Sequence, residues 1–221
     1  MSRRTYRAVI FDLDGVLWDG EPLYREAFNV VLAPYGHRLT ETDYMRIIGQ
    51  TVEACWEWVR DKFSLSVSPG RCYHLYNDAV LHLLDQPIEP LPGVRPLLQE
   101  LRRRGTPAAV ASSSLRAWVD ATLRGLGIED CFQATVSVSE VDRGKPAPDL
   151  YLTAARRLNV PPAACIAVED TAPGIAAARA AGVLAVQLRA SSTALPPLPE
   201  ADLVLSAYSE FDLSLLNGAR A

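Results

Sequence analysis

The chain has 221 residues, of which 49% are hydrophobic and 22% are charged, and its formal net charge is −4. This composition can fill a folded core, and the mildly acidic balance excludes a strongly basic nucleic-acid surface and gives no reason to expect an anionic membrane as partner. Four scattered cysteines without a Cys-x-x-Cys pair argue against a disulfide framework or a structural zinc site. We therefore expect reduced thiols and a soluble, cytoplasmic protein, since no apolar run approaches transmembrane length.

The first predicted element is a short apolar strand, Ala8–Phe11, after which the chain has the pattern of helices only from about Trp18 to Asp85. Apolar side chains recur there at the spacing of one helix face, and residues that favour helix N-termini, such as Thr40 and Ser68, precede helices. The expected helices are a stripe through Tyr24, Ala27, Phe28 and Val31, a segment from Thr40 to Gly49, a stripe through Val52, Trp56, Val59 and Phe63, and a segment from Pro69 to Leu84.

After a proline-rich linker, short apolar runs alternate with amphipathic helices. The runs are Ala108–Ala111, Thr135–Val138, Cys165–Val168, Val183–Val186 and Leu203–Leu205, and the helices span about Val94–Arg104, Leu115–Leu126, Pro148–Leu158 and Thr171–Ala181. Continuous apolar runs are typical of strands buried on both faces of a parallel sheet. Alternation of strands and helices indicates an α/β domain.

The predicted fold class is therefore α/β, a Rossmann-like doubly wound parallel sheet with an inserted α-helical domain. We expect residues 1–17 and 90–221 to form the α/β core domain and residues 18–89 to form the helical domain. Residues 191–199, which are rich in Ser and Pro, are expected to form a loop.

Polar residues follow several of the predicted strands. They are Asp12 and Asp14, Ser112 and Ser113, Lys145 on a loop stiffened by two prolines, and Glu169 and Asp170. Each has a purely structural interpretation: a turn at Asp12–Gly15, a helix N-cap at Ser114, a helix cap at Asp170 or Thr171, and a solvated charge at Lys145. Ligands of open α/β sheets, however, bind outside the carboxyl ends of the strands, where these side chains would converge.

Such convergence would place up to four carboxylates beside one ammonium and one hydroxyl group. Two like charges 4 Å apart repel by about 4 kcal/mol at an effective dielectric constant of 20, so the cluster needs a divalent cation. Oxygen ligands without Cys or His favour Mg²⁺. A carboxylate beside Mg²⁺, with a Lys and a hydroxyl to hold phosphate oxygens, suits phosphoryl transfer through an aspartyl phosphate.

These motifs resemble those of haloacid dehalogenase superfamily hydrolases of subfamily I, in the branch of phosphoglycolate phosphatase and β-phosphoglucomutase. The resemblance covers nearly the whole chain and rests on Asp12-Leu13-Asp14-Gly15-Val16-Leu17, on Ser112, on Lys145 in Gly-Lys-Pro-Ala-Pro-Asp, and on Glu169-Asp170 before Thr-Ala-Pro-Gly. It implies a Mg²⁺-dependent phosphatase that hydrolyses a small phosphate monoester, such as a sugar phosphate or phosphoglycolate. It also implies that the helical domain is a cap that closes over the site and excludes water.

The resemblance further implies residue roles. Asp12 would be the nucleophile, and Asp14 would act as general acid and then as general base. The phosphate-binding residues would be Ser112, Ser113 and Lys145, and Mg²⁺ would be held by Asp12, the Asp14 backbone carbonyl and Asp170, with Glu169 as a direct ligand or as a support for one. Possible substrate contacts are Trp18, Gly49 and Gln50.

Three alternatives remain open. In the phosphomutase branch an Arg stands three residues after the Gly of the cap motif. This chain has Val52 three residues after Gly49, which weakens the case for a β-phosphoglucomutase-like activity. A true haloacid dehalogenase would need neither Mg²⁺ nor Asp14 as an acid and base. A non-catalytic binding module on the same fold is the alternative from a different class. The expected partner is a small phosphorylated metabolite, with no nucleic acid or membrane, for a monomer or weak homodimer.

Overall fold

The structure, a computed structural model, describes residues 5–190 and 196–216. The chain divides into two compact units. The first, called here the sheet unit, runs to Asp19 and resumes at Pro87, and the second, called here the helical unit, is Gly20–Gln86.

The sheet unit is built on six strands that pair in parallel in the order β3-β2-β1-β4-β5-β6. The strands are β1 (Ala8–Phe11), β2 (Ala108–Ser112), β3 (Ala134–Ser137), β4 (Cys165–Glu169), β5 (Leu184–Leu188) and β6 (Leu203–Leu205). This is the strand order of a doubly wound fold, so the predicted fold class is confirmed. The order reverses between β1 and β4, which is where ligands bind in such sheets.

The central strands β1, β2 and β4 are buried along their whole length, as expected of strands covered on both faces. The helices of the sheet unit are α5 (Val94–Arg103), α6 (Arg116–Leu126), α7 (Asp149–Arg157) and α8 (Ala172–Ala180). All four lie within two residues of their predicted ends. The register pairs Phe11 with Val168, so the residues that follow, Asp12 and Glu169, leave neighbouring strands at the same level.

The helical unit contains α1 (Glu21–Leu32), α2 (Glu41–Tyr44), α3 (Val52–Phe63) and α4 (Pro69–Leu84). Three aromatic side chains form its centre: the ring centroids of Phe28 and Tyr76 are 4.4 Å apart, and those of Phe28 and Trp56 are 4.8 Å apart. Trp56 is 1% exposed. Its predicted place in an apolar helix stripe is therefore confirmed.

The predicted helix from Thr40 to Gly49 is wrong in length. Thr40 does cap the helix, with its hydroxyl accepting from the Asp43 amide, but regular helix ends at Tyr44. The Arg46 amide then donates to the Asp43 carbonyl, three residues back, so the following residues form tighter turns. The segment finishes at Gly49, whose φ of +80° no helix contains.

Two further observations concern the remaining segments. Of the loop expected at residues 191–199, positions 191–195 lie outside the described residues, and residues 196–198 have no regular secondary structure. Within residues 5–190 and 196–216, no helix is long and apolar enough to cross a membrane.

Candidate active site

The first element of the site is the loop that follows β1, residues 12–18. The Asp12 amide donates to the Val168 carbonyl at 2.9 Å, which extends the pairing of β1 with β4 to the first residue of the loop. The chain then turns at Gly15, whose φ is +72°, and the Gly15 amide donates to the Trp18 carbonyl at 2.8 Å. This conformation favours glycine, and it explains the Gly of the Asp-x-Asp-Gly sequence.

Three carboxylates come together at the ends of β1 and β4. One oxygen each of Asp12, Glu169 and Asp170 lies within 4.8 Å of the others, the only such group of possible metal ligands among the residues that the structure describes. Asp12 is 7% exposed and Glu169 is fully buried. The three side chains are therefore held close in an environment that screens their charges poorly.

Lys145 supplies the positive charge of the cluster. Its Nζ donates to Asp12 Oδ1 at 2.6 Å and also contacts Glu169 Oε1, and its side chain is 5% exposed. The ring of Tyr151 lies beside it, with Nζ 5.5 Å from the ring centroid. Lys145 is thus a buried ammonium that joins two carboxylates, and the solvated surface charge is ruled out as its interpretation.

Glu169 has partners for both of its carboxylate oxygens. Tyr151 OH donates to Oε1 at 2.7 Å, and Thr171 Oγ1 and the Asp170 amide donate to Oε2 at 3.1 and 3.2 Å. Thr171 is also the N-cap of α8, as predicted, and its hydroxyl accepts from the Gly174 amide. A Cβ at Gly174 would overlap the Glu169 carboxylate, so the first turn of α8 packs directly on it.

The charges do not balance, because one ammonium faces three carboxylates. Burial raises the pKa of Asp12 well above its ordinary value, and Glu169 and Asp170 raise it further, while Lys145 opposes the shift. Burial and the charge of Glu169 likewise raise the pKa of Asp170 to about 7. Burial alone would lower the pKa of Lys145, but the charges of Asp12 and Glu169 raise it overall. The cluster therefore has a strong preference for one more positive charge.

Asp170 offers a specific place for that charge. Its Oδ1 is buried without a hydrogen-bond partner. The backbone of the Asp12–Trp18 loop packs closely against the same carboxylate, because a Cβ at Gly15 would overlap it. An unsatisfied buried carboxylate oxygen beside two further carboxylates fits a cation that takes oxygen ligands. The residues present therefore fit a divalent metal ion.

The serines after β2 are arranged differently from one another. Ser112 is 1% exposed and its hydroxyl accepts from the Ser114 amide at 3.0 Å, whereas Ser113 is exposed. Ser114 Oγ donates to Asp14 Oδ2 at 3.0 Å. The predicted N-cap role of Ser114 is wrong: the residue in that position is Leu115, without a side-chain cap, because the Ser114 hydroxyl is directed to Asp14.

The remaining predicted site residues lie in two places. Trp18, at the end of the Asp12–Trp18 loop, is 3% exposed. Gly49 and Gln50 belong to the helical unit, where both are exposed and Gln50 Nε2 donates to the Arg46 carbonyl at 2.8 Å.

Three contacts in the site were not predicted from the sequence. Tyr151 lies on α7 at a position that its apolar pattern assigns to the core, so its hydrogen bond to Glu169 leaves no trace in the spacing. The contact of Ser114 with Asp14 joins residues 100 positions apart. Gly174 offered a weak signal, since a glycine in the first turn of a helix weakens that helix unless something packs against it.

Comparison with known proteins connects this site to a family. The profile of the haloacid dehalogenase-like hydrolases matches residues 6–182. Fructose-1-phosphate phosphatase YqaB of Escherichia coli is 36% identical over 187 residues, which is 83% of this chain and 97% of that protein. Beta-phosphoglucomutase of Bacillus subtilis is 33% identical over 223 residues, which is 96% of this chain and 94% of that protein.

A longer relative and a solved structure extend the comparison. The bifunctional riboflavin kinase/FMN phosphatase of Arabidopsis thaliana is 32% identical over 211 residues, or 95% of this chain, and the match spans 53% of that protein. The crystal structure of CbbY from Rhodobacter sphaeroides in complex with xylulose-(1,5)bisphosphate has a TM-score of 0.79 and 26% identity, and the match covers 96% of this chain and 100% of that one. The chain that carries the carboxylates at the ends of β1 and β4 is therefore a member of the haloacid dehalogenase-like hydrolases of subfamily I.

Proposed function

We propose that the protein is a Mg²⁺-dependent phosphatase that hydrolyses a small phosphate monoester through an aspartyl phosphate on Asp12. The observation that carries the proposal is the buried contact of Asp12 with Lys145 beside the unsatisfied oxygen of Asp170. It combines a carboxylate nucleophile, a group that can hold a phosphoryl oxygen, and a place for a cation.

The first step is attack of an Asp12 carboxylate oxygen on phosphorus. The ester P–O bond breaks, and the leaving oxygen takes a proton from the Asp14 carboxyl group. Lys145 donates to Asp12 Oδ1 and so orients the nucleophile. Ser114, through its hydrogen bond to Asp14 Oδ2, holds the acid in place.

The second step is hydrolysis of the aspartyl phosphate. The Asp14 carboxylate takes a proton from a water molecule as that water attacks phosphorus, and the bond between phosphorus and the Asp12 oxygen breaks. Inorganic phosphate leaves and Asp12 is restored as a carboxylate. Ser112, Ser113 and Lys145 are assigned to bind the oxygens of the transferring phosphoryl group.

The metal ion is assigned to the Asp12 and Asp170 carboxylates and the Asp14 backbone carbonyl. When bound, Mg²⁺ supplies positive charge that stabilises the charge developing on the phosphoryl oxygens. Both oxygens of Glu169 are engaged by Lys145, Tyr151, Thr171 and the Asp170 amide. We therefore assign Glu169 to holding Lys145 and the Asp170 backbone, and not to direct metal binding.

The activities of two relatives support a substrate class for this proposal. One relative is a fructose-1-phosphate phosphatase, and another, from Thermotoga maritima, is a phosphorylated carbohydrates phosphatase. Both favour a sugar phosphate as the substrate, with phosphoglycolate as a further candidate. We expect no nucleic acid or membrane partner and a monomer or weak homodimer. The four free cysteine thiols support the expectation of a reducing compartment such as the cytoplasm.

A phosphomutase is the second candidate, favoured by the identity to beta-phosphoglucomutase over 94% of that protein. Against it, Val52 begins α3 where the mutases of this branch have an Arg to grip the second phosphate. The two activities differ in products. A mutase would convert glucose 1-phosphate to an isomer when given a bisphosphate activator, and a phosphatase would release inorganic phosphate.

The test is a screen of phosphate esters for release of inorganic phosphate, with and without Mg²⁺. The matched control is Asp12→Asn, which retains the shape of the side chain but removes the nucleophile. We expect Mg²⁺-dependent release from at least one sugar phosphate or from phosphoglycolate, and none above background from the variant. Release that is equal in the wild type and Asp12→Asn would contradict the proposal and would favour a non-catalytic binding module.

A further inference from the structure

A buried tyrosine from the last part of the sheet unit reaches the loop that carries Asp14. Tyr208 begins a short 3-10 turn, Tyr208–Glu210, after β6, and it is 5% exposed. Its hydroxyl donates to the Val16 carbonyl at 2.9 Å in a buried hydrogen bond between residues 192 positions apart. This contact ties the Asp12–Trp18 loop to a distant part of the same unit.

The same side chain packs against the segment that returns from the helical unit. Gly93 precedes α5 with a φ of +92°, and a Cβ there would lie 2.7 Å from Tyr208 Cβ. The conformation and the close approach both require glycine. The Leu91 amide in this segment donates to the Leu17 carbonyl at 2.9 Å. Tyr208 therefore contacts two chain segments that are themselves hydrogen-bonded to each other.

The Asp12–Trp18 loop is held near its two ends, where the Asp12 amide donates to the Val168 carbonyl and the Leu17 carbonyl accepts from the Leu91 amide. The Gly15 amide donates to the Trp18 carbonyl and the Leu17 amide to the Leu13 carbonyl, each at 2.8 Å. These two bonds fold the loop internally, and between its two ends the Tyr208 hydroxyl holds the Val16 carbonyl to a distant part of the sheet unit. Burial and the negative charges of Asp12 and Asp170 raise the pKa of Tyr208 well above its ordinary value, so the phenol keeps its proton and remains a donor.

We propose that Tyr208 is a positioning residue of the active site: its hydroxyl holds the Val16 carbonyl, and thereby keeps Asp14 in place relative to Asp12. The inference rests on the proposed function. Asp14 is two residues before Val16, which accepts the hydrogen bond from Tyr208. The side chain and the backbone carbonyl of Asp14 are both assigned roles in the reaction. Displacement of a reacting group by about 1 Å can lower a rate by about 100-fold, so a small shift of this loop has a measurable effect.

The test is Tyr208→Phe, which keeps the ring against Gly93 and removes only the hydroxyl. We expect kcat to fall by about 10-fold with KM changed by less than about twofold, because the loss falls on alignment of the reacting groups. Inhibition by orthovanadate, which adopts the geometry of pentacoordinate phosphorus, should weaken by the same factor as kcat. Inhibition by inorganic phosphate should not change. Tyr6→Phe is the control, since Tyr6 is also 5% exposed in the sheet unit.

Hydrogen exchange adds a readout that does not depend on activity. In Tyr208→Phe, the amides of Gly15 and Leu17 should exchange at least several-fold faster than in the wild type. Gly93→Ala, which pushes on Tyr208 from the other side, provides a second variant if the first does not fold. A folded variant with unchanged kcat, unchanged vanadate inhibition and unchanged exchange would overturn the inference. If the wild type itself releases no more phosphate than Asp12→Asn, the proposed function fails. Hydrogen exchange then still tests whether the Tyr208 hydroxyl holds the Val16 carbonyl in place.

Discussion

In the sheet unit, the buried charged side chains Asp12 and Glu169 lie at the ends of strands and share one ammonium, Lys145. In the helical unit, all of whose residues the structure describes, the buried polar side chains Asn29 and Asp43 are hydrogen-bonded within the unit, and the buried polar atom that has no partner is the neutral Trp56 Nε1. Asn29 accepts from the Leu39 amide at 2.9 Å, and Asp43 completes the cap of α2 and pairs with Lys62 at 2.8 Å. The first unit leaves a carboxylate oxygen of Asp170 without a partner, and the second uses its polar groups to fix helix ends.

This difference separates a reactive arrangement from a structural one. A buried carboxylate oxygen without a partner is costlier than an unpaired neutral N–H such as Trp56 Nε1, and such charged groups cluster where a ligand or a reaction uses them. The lysine pairs make the contrast clear: Lys145 Nζ lies 2.6 Å from Asp12 Oδ1 with its side chain 5% exposed, and Lys62 Nζ lies 2.8 Å from Asp43 Oδ1 with its side chain 32% exposed. The distances are alike, and the surroundings are not.

The largest expected difference is between variants that remove one or the other of these two lysines. Lys145→Met should lower kcat/KM by about 10³-fold, because the variant loses both the group that orients Asp12 and a donor to the phosphoryl oxygens. Lys62→Met should change kcat/KM by less than about twofold, since Lys62 pairs with Asp43 at a helix end of the helical unit and has no part in the proposed reaction. Steady-state kinetics on the best ester from the screen provides the measurement. Equal losses in the two variants would remove the distinction between the units.

Removal of a central aromatic side chain should have its effect on stability. Trp56→Ala leaves a cavity between Phe28 and Tyr76 and should lower the free energy of unfolding by about 3–5 kcal/mol. Tyr35→Ala, at a position 42% exposed in the same unit, should cost less than about 1 kcal/mol. Urea denaturation followed by circular dichroism measures both. Isothermal titration should give the same Mg²⁺ affinity for folded Trp56→Ala as for the wild type, and a large change would mean that metal binding depends on the helical unit.

Two glycines in the first turns of helices provide a smaller, matched comparison. Gly174→Ala in α8 should lower stability by about 1–3 kcal/mol, because the methyl group would overlap the Glu169 carboxylate. Gly70→Ala in α4 has nothing within 4 Å of the added methyl group and should raise stability by about 0.4–1 kcal/mol. Thermal melts of the two variants test this. A Gly174→Ala protein as stable as the wild type would show that α8 does not pack on Glu169 as described.

The smallest effect concerns pH in the absence of metal. The folded-state pKa of Asp170 is raised to about 7 from an ordinary value of 3.8, so the folded protein binds this proton more tightly than the unfolded chain. The stability from this group is therefore complete below about pH 4 and is lost as the pH rises through 7. In EDTA, the Tm of the wild type relative to Asp170→Asn should fall by about 5 °C between pH 5 and pH 8. Mg²⁺ should restore it at pH 8, and a pH-independent difference would contradict the charge imbalance.

The sequence was sufficient for the sheet and for the residues at its strand ends. Six apolar runs became the six strands, because strands buried on both faces need continuous apolar sequence. The proximity of Asp12, Lys145, Glu169 and Asp170 was predicted because ligands of open α/β sheets bind outside the carboxyl ends of the strands, where these residues lie. That β1 and β4 are neighbours, however, could be read only from the observed strand order.

The remaining contacts depend on tertiary packing and leave no periodic signal. The Tyr208 hydroxyl reaches Val16, and the Ser114 hydroxyl bonds Asp14 where local sequence predicted a helix cap. The helix from Thr40 was predicted too long for a related reason. Its N-cap is local and visible in sequence, but the switch to three-residue turns after Asp43 is set by backbone hydrogen bonds that residue types alone do not determine.

The central claim is that Asp12 carries the phosphoryl group, and chemical trapping tests it most directly. An aspartyl phosphate is reduced by borohydride to homoserine, so the protein is mixed with substrate and Mg²⁺, quenched within milliseconds, reduced, and digested for mass spectrometry. We predict homoserine at position 12 in the wild type, and none without substrate or in Asp12→Asn. Phosphate release by the wild type with an unmodified Asp12, or with the phosphoryl group on another residue, would contradict the account.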